Sequence, residues 1–334
     1  MFSQRLTVWA LALMLVTAFL VSGTWAQPAL ERDKEDLAAR DAALTRIRWL
    51  GGQFIVDEDN PAQPVLVVSL MGTPAGDQRL QLVAGFTSLQ RLWLDRTRVT
   101  DAGLARLKHL TNLQELSLSY TRVSDAGLKH LQELSGLTYL NLGRTRVTGP
   151  GLVVLKGLPN LRHLELSGSS VTDAGLEHLN HLNNLETLQI GDCPITDAGL
   201  KHMERLTGLR QLGLHNTFVT DAGLEIVKQL DDLEILSLSQ TEITDAGLSH
   251  LAGLTGLREL SLWKTRVTDD GLQHLSNLSS LQDLGLRDTG ITDAGLNHLK
   301  QLTNLRYLHL RETKVTGKAI KKFQRALPNC QIDR

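Results

Sequence analysis

From Leu89 onward the apolar positions of this chain recur every 24 residues. Leu89, Leu113, Leu137, Leu161, Leu185, Leu209, Leu233, Leu257, Leu281 and Leu305 open successive rows, and another leucine follows three places on, from Leu92 to Leu308. The sixth place is leucine in every row except at Ile190, and no insertion breaks the register. Each row has two halves. The first, as in Leu113-Gln-Glu-Leu-Ser-Leu118, alternates apolar and polar residues, the period of a half-buried strand. The second carries leucines three apart, as at Leu128, Leu131 and Leu134, and predicts a short helix with one apolar stripe. Thr100, Ser124 and Thr172 stand where an N-cap belongs, and the aspartates that follow (Asp101, Asp125, Asp173) are placed to complement the helix dipole. Gly103 and its equivalents fall just inside the helix, where glycine is unfavourable, so close approach of a neighbouring coil is expected there.

One row cannot bury its own leucines, whereas stacked rows can. Strands stack about 4.8 Å apart, while helices need roughly 10 Å, so the stack must bend. The expected fold is therefore α/β: a right-handed solenoid, a horseshoe with a parallel β-sheet on its concave face and short helices on its convex face. Residues 65–88 read as a degenerate first unit, keeping Val68, Leu70, Leu80 and Phe86 in register but losing the first leucine. Regular rows run over residues 89–316.

The ends read as caps. In residues 27–64, Glu31 to Leu50 predicts an amphipathic helix with Leu37, Leu44, Ile47 and Leu50 on one face, ended by Gly51-Gly52 and followed by a strand at Phe54-Ile-Val56. The charge run from Glu31 to Asp41 fits a solvated helix face better than a ligand site. In residues 317–334, Lys318 to Leu327 predicts a more polar helix and Cys330-Gln-Ile332 a closing strand. Residues 1–26 read as a targeting segment: Arg5, an apolar run from Leu6 to Val21, then Thr24 and Ala26 before Gln27. A cleaved signal peptide is expected, with an uncleaved single-helix anchor as the alternative, because the run is long for one and short for the other. Either makes the chain exported: periplasmic, cell-surface or secreted.

The pattern LxxLxLxxT followed by V/I-T-D-A-G-L-x-x-L resembles the leucine-rich-repeat (LRR) family, in the form found in ribonuclease-inhibitor-like and F-box-associated repeats and in exported bacterial repeat proteins. The resemblance runs from Val65 to the C-terminus. It implies that the ninth place, threonine in most rows but Ser169 and Cys193 in two, bonds the backbone of adjacent coils. It also implies binding rather than catalysis, without naming a ligand. F-box proteins carry a helical adaptor before the repeats, and residues 27–64 are too few for one, so a ubiquitin-ligase role does not carry over.

Composition sharpens this. Hydrophobic residues make up 42% of the chain but aromatics only 4%, so leucine supplies the core, as a repeated packing unit requires. The net charge of -1 gives no overall basic excess for a nucleic-acid backbone. No spanning segment follows the N-terminal one, so no further membrane contact is expected. The two cysteines, Cys193 and Cys330, stand almost six rows apart. At one strand spacing per row that is on the order of 27 Å, against a Cα limit of about 7 Å for a disulfide. Cys193 therefore reads as a ladder residue rather than a reactive thiol.

His130, His178, His202, His250, His274 and His298 share an outer column. It reads as a solvated repeat position, because neighbouring helices are too far apart to share an ion and no carboxylate or cysteine spacing completes a ligand set. No cofactor or metal is implied. G-x-S-x-G, H-E-x-x-H, C-x-x-C and P-loop signatures are all missing. The pair His163 and Glu165 is of the kind that repeats produce incidentally, so no enzyme is expected.

That leaves the groove, lined by the third, fifth and seventh places. Its middle is small and polar (Ser117, Asn141, Gln189, Gly213, Ser237, Ser261, Gly285) and predicts a smooth floor that admits a partner's backbone. Aromatic and basic residues gather at the ends: Arg91, Trp93 and Tyr139 near the start, and Trp263, Arg287, Tyr307, His309 and Arg311 near the finish. Residues of this kind form protein-binding hot spots, although each taken singly is also explained by surface variation or cap packing. Trp263 and Arg287 share a column, which predicts a cation–π contact. The function expected is a non-catalytic extracytoplasmic scaffold that binds a protein or peptide partner along the concave sheet. Two alternatives stay open. One is a cell-wall glycan-binding module, with Trp263 and Tyr307 stacking on sugars and Asn141 and Gln189 bonding them. The other is a structural surface protein with no defined ligand.

Overall fold

The computed structural model describes residues 36–334. The expected targeting segment, residues 1–26, and the start of the helix expected from Glu31 lie outside them. Thirteen strands form one sheet in strict chain order. They are β1 (Gln53–Val56), β2 (Val65–Ser69), β3 (Arg91–Trp93), β4 (Glu115–Ser117), β5 (Tyr139–Asn141), β6 (His163–Glu165) and β7 (Thr187–Gln189), then β8 (Gln211–Gly213), β9 (Ile235–Ser237), β10 (Glu259–Ser261), β11 (Asp283–Gly285), β12 (Tyr307–His309) and β13 (Gln331–Asp333). β1 runs antiparallel to β2, while all later neighbours are parallel. From β3 to β12 each residue pairs with its equivalent one row on, as Leu116 does with Leu140. The result is the right-handed solenoid expected, with its parallel sheet on the concave side.

The fourth- and sixth-place leucines sit under the sheet, at most 1% exposed from Leu92 to Leu310. They join the convex-side leucines in one continuous core that runs from Leu44 and Ile47 to Cys330. The N-terminal helix, residues 36–49 within the described chain, and the C-terminal helix Gly317–Ala326 close the two ends through Ile47 and Phe323.

The convex elements are shorter than the helix expected. A typical row has a single α turn, such as Asp125–Leu128, followed by a 3₁₀ turn, here Lys129–Leu131. Leucines exactly three apart would drift off the face of a longer α-helix, but they eclipse in a 3₁₀ turn, which has three residues per turn. The leucine spacing thus selects the tighter form.

Between coils the dominant polar link is a carboxylate ladder. Asp221 accepts the backbone N–H of Thr244 at 2.8 Å and its hydroxyl at 2.5 Å. The same double bond recurs from Asp77 with Thr100 to Asp293 with Thr316. The aspartate expected to serve its own helix dipole therefore chiefly binds the next coil's cap. This also explains the helical glycines: a Cβ at Gly103 would lie 2.5 Å from the Asp77 Oδ1. One rung is missing. Gly149 stands in the aspartate column, and the Thr172 it would have served has no side-chain cap bond. Gly149 lies instead against Gly175, at a φ of +135°.

The ninth-place threonines behave differently from expectation. Thr97, Thr121 and Thr241 donate to the carbonyl three residues back in their own coil, at 2.5–2.6 Å. Cys193 reaches across, its thiol 3.3 Å from the Leu166 carbonyl of the preceding coil and 3.6 Å from the Ser169 hydroxyl. A hydroxyl on a short side chain meets its own turn's carbonyl first, and that satisfies the buried donor.

The eighth place adopts the left-handed conformation in every row, including Arg96 (φ 54°), Tyr120 (56°), Arg144 (53°) and Lys264 (56°). Such residues cost roughly 1–2 kcal/mol each. The conformation is held because their N–H groups bond the next coil, as Arg96 does with Ser119 at 2.8 Å and Tyr120 with Gly143 at 3.0 Å.

Removing one rung should be measurable. Asp221→Ala is expected to cost about 2 kcal/mol, seen as a lower urea midpoint with an unchanged slope. The Asp125 carboxyl feels burial, which pushes it up, but the Thr148 hydroxyl and the Gly151, Thr148 and Gly149 N–H groups outweigh that and hold it below the ordinary value. Its bonds therefore stabilise the fold above the unfolded-chain pKa, about 3.9, and that stability is lost as pH falls through the lower folded value. Asp125→Asn is expected to flatten part of the acid limb of a stability–pH profile measured by urea melts.

Candidate functional site

The third, fifth and seventh places do face the open side of the sheet, and they fall into two groups. Arg91 and Trp93 lie on β3 and Tyr139 on β5. Tyr307 and His309 lie on β12, with Trp263, Arg287 and Arg311 two residues beyond their strands. Five strand spacings separate Tyr139 from the coil of Trp263, which is roughly 24 Å at the usual strand spacing. The two groups cannot touch one small ligand together, but an extended partner can span them.

The start of the groove is acidic. Glu115 pairs with Arg91 at 3.0 Å. Burial raises the Tyr139 phenol above its ordinary pKa, an effect the Asn141 hydrogen bond opposes and the nearby negative charges of Glu165, Asp95 and Glu115 reinforce. The Tyr139 ring tilts over His163 at 6.3 Å, and His163 Nδ1 lies 3.0 Å from the Thr187 hydroxyl. Asp95, which sequence reasoning passed over, is buried: one oxygen accepts the Ser117 hydroxyl, and the other has no partner among the described residues. Nothing in its row position distinguishes it from an exposed aspartate.

The finish presents arginines that are internally paired. Arg287 lies 5.6 Å above the Trp263 ring, as the shared column predicted, and reaches Glu312 at 2.7 Å. Arg311 bonds Asp333 of the closing strand at 2.7 Å, and His309 stands between Asp283 and Asp333, at 3.4 and 3.7 Å. Exposed pairs of this kind add little stability, but they fix where the guanidiniums point. Tyr307 is 44% exposed and unobstructed by such a pair.

The floor between the groups is less open than its small residues suggested. The Gln189 amide lies over Gly213 and the His215 ring over Gly191, so those glycines make room for the chain's own side chains rather than for a partner's backbone. A second feature outside the expected list is Tyr120, 48% exposed, with Arg96 and Arg144 at 4.9 and 5.4 Å from its ring. All three occupy the eighth place, where the left-handed turn throws the side chain onto the rim. Counting strand alternation alone does not reveal that.

Several known proteins can now be set beside this geometry. Residues 172–331 match the family model described as a leucine-rich repeat region, and residues 109–131 and 157–179 match one described as a leucine rich repeat. No curated protein sequence matches the chain. Among solved structures, an internalin from Listeria monocytogenes is similar at a TM-score of 0.55 and 19% identity, covering 83% of this chain and 91% of that one. A repeat protein from Leptospira interrogans is similar at 0.52 and 21%, covering 76% and 74%. At these identities the likeness is one of fold.

Chemically, the thiols are poorly placed to react. Both cysteines are unpaired and buried; burial raises the Cys193 thiol and pushes Cys330 up to about 11. Little thiolate exists near neutrality. A thiol titration with an aromatic disulfide at pH 7.5 is expected to show no fast-reacting group in the native chain and two on unfolding.

Proposed function

Because the chain is a leucine-rich-repeat protein, we propose that it is a non-catalytic scaffold that holds a protein or peptide partner along its concave sheet. The observation carrying this reading is the finish of the groove. There Tyr307 is exposed, Arg287 lies over the Trp263 ring, and the guanidiniums of Arg287 and Arg311 are held by Glu312 and Asp333 before any partner arrives. Pre-set aromatic and arginine side chains lose little freedom on binding, and such side chains dominate binding energies at protein interfaces. The start of the groove supplies the complementary patch: Arg91, Trp93 and Tyr139 among Glu115, Glu165 and Asp95. A partner lying along the sheet thus meets carboxylates around Arg91, Trp93 and Tyr139 at one end and clamped arginines with aromatic rings at the other, and that difference fixes its direction. Export is part of the reading. It rests on Arg5 and the apolar run from Leu6 to Val21; among the described residues no helix is long and apolar enough to cross a membrane.

The partner is to be captured by crosslinking the mature chain in an envelope fraction and then titrated by calorimetry. Trp263→Ala with Tyr307→Ala is expected to weaken binding at least about thirtyfold, since single hot-spot truncations cost about 2 kcal/mol or more, while the thermal midpoint stays near the parent's. Unchanged affinity would remove the concave finish from the site. Capture of a glycan on an array, with no protein in the crosslinked fraction, would replace the partner class.

A further inference from the structure

We propose that the loop rim of the first three full coils is a second binding surface, separate from the concave sheet, for an anionic polysaccharide bearing sulfate or phosphate groups. Arg98, Arg122 and Arg146 occupy the tenth place of consecutive coils and are exposed. Their backbones form a ladder of their own: Arg98 donates to the Ala75 carbonyl at 2.8 Å, Arg122 to Val99 at 3.0 Å and Arg146 to Val123 at 2.8 Å. The three side chains therefore leave the rim at about strand spacing, roughly 4.8 Å apart. Arg96 and Arg144, thrown outward by the left-handed eighth place, flank the same strip on either side of Tyr120.

The carboxylates near this strip leave three of its guanidiniums without a direct ion pair. Asp77, Asp101 and Asp125 are engaged by the caps of Thr100, Ser124 and Thr148. Asp95 is buried against Ser117. Asp192 pairs with Arg144 at 3.0 Å. The coil of Arg146 has Gly149 where the others have a ladder aspartate. Among the described residues, Arg98, Arg122 and Arg146 have no carboxylate partner at ion-pair distance.

The chain handles stacked charges differently elsewhere. In the second place Arg162 pairs with Glu186, and Glu234 is shared by Arg210 and Arg258. In the tenth place of later coils Arg266 pairs with Glu242. Those columns alternate in sign, whereas on this rim positive charges repeat along three adjacent coils, as negative ones do in the aspartate ladder. Like charges at that spacing repel, and an external row of anions relieves the repulsion.

The ligand class follows from the side chains. Guanidinium forks fit tetrahedral oxyanions bidentately. Both flanks of the Tyr120 ring are taken by arginine, which leaves no free face for a nucleobase to stack on. Beside the arginines, Thr100, Ser124 and Thr148 spend their hydroxyls on the aspartate ladder, so the strip offers guanidinium groups rather than apolar peptide anchors.

The test is a surface-binding titration of the full chain against heparin, a phosphomannan, neutral dextran, polyglutamate and single-stranded DNA. Expected is binding to heparin or the phosphomannan, none to dextran, and a marked loss of affinity as salt rises. The sulfated and phosphorylated arms tell which oxyanion is preferred. Arg98→Gln with Arg122→Gln and Arg146→Gln is expected to weaken binding tenfold or more, with an unchanged circular-dichroism melt. Lys201→Gln with Arg205→Gln and Lys228→Gln removes the same charge from the convex side and is expected to change affinity less than twofold. Equal losses in the two triple variants, no binding to either glycan, or tighter binding to polyglutamate or DNA would overturn the proposal.

Discussion

Every feature of this molecule depends on a leucine core that no single coil can close. The fourth- and sixth-place leucines are sheltered from water only because the next coil repeats the same surface in the same register. Register is therefore under the strongest constraint in the chain, and polar links have been recruited to hold it. The aspartate of one coil bonds both the N–H and the hydroxyl of the threonine that starts the next convex turn. That bond works only if the glycine beside it has no side chain, so aspartate, threonine and glycine recur as a set. Apolar burial supplies the bulk of the driving force, while the carboxylate ladder fixes the alignment of consecutive coils.

The same repetition determines where recognition can occur. Places facing the core are fixed by packing, so variation falls on solvent-facing places, among them the concave third, fifth and seventh and the eighth and tenth of the rim. On the sheet this produces two different patches with a self-covered floor between them. On the rim it produces a column of like charges in a chain whose net charge is only -1. Overall charge conceals this strip because carboxylates elsewhere, such as the Glu186 that pairs with Arg162, offset it. A scaffold built this way presents separate surfaces on one rigid frame, and a ligand on the rim need not compete with a partner in the groove.

The sequence by itself determined the period, the strand-and-turn alternation, the parallel stacking and the identity of the core, because those depend on the spacing of leucines and on nothing further away. It also determined that Trp263 and Arg287 would meet, since equivalent places in adjacent rows are neighbours in any such stack. The capping strand β1 and the closing strand β13 likewise lie where short apolar runs end the pattern.

What only the tertiary structure decided are the matters set by direction rather than spacing. Whether an aspartate serves its own turn or the next coil, whether a threonine bonds forwards or back, and whether Gly213 is open or lies under Gln189 depend on angles that periodicity does not carry. The left-handed eighth place is the clearest case. Arginine, tyrosine and lysine there give no local signal for positive φ, because inter-coil hydrogen bonds rather than residue preference hold the conformation. That turn placed Arg96, Tyr120 and Arg144 side by side on the rim, a juxtaposition that exists only once the coils are stacked.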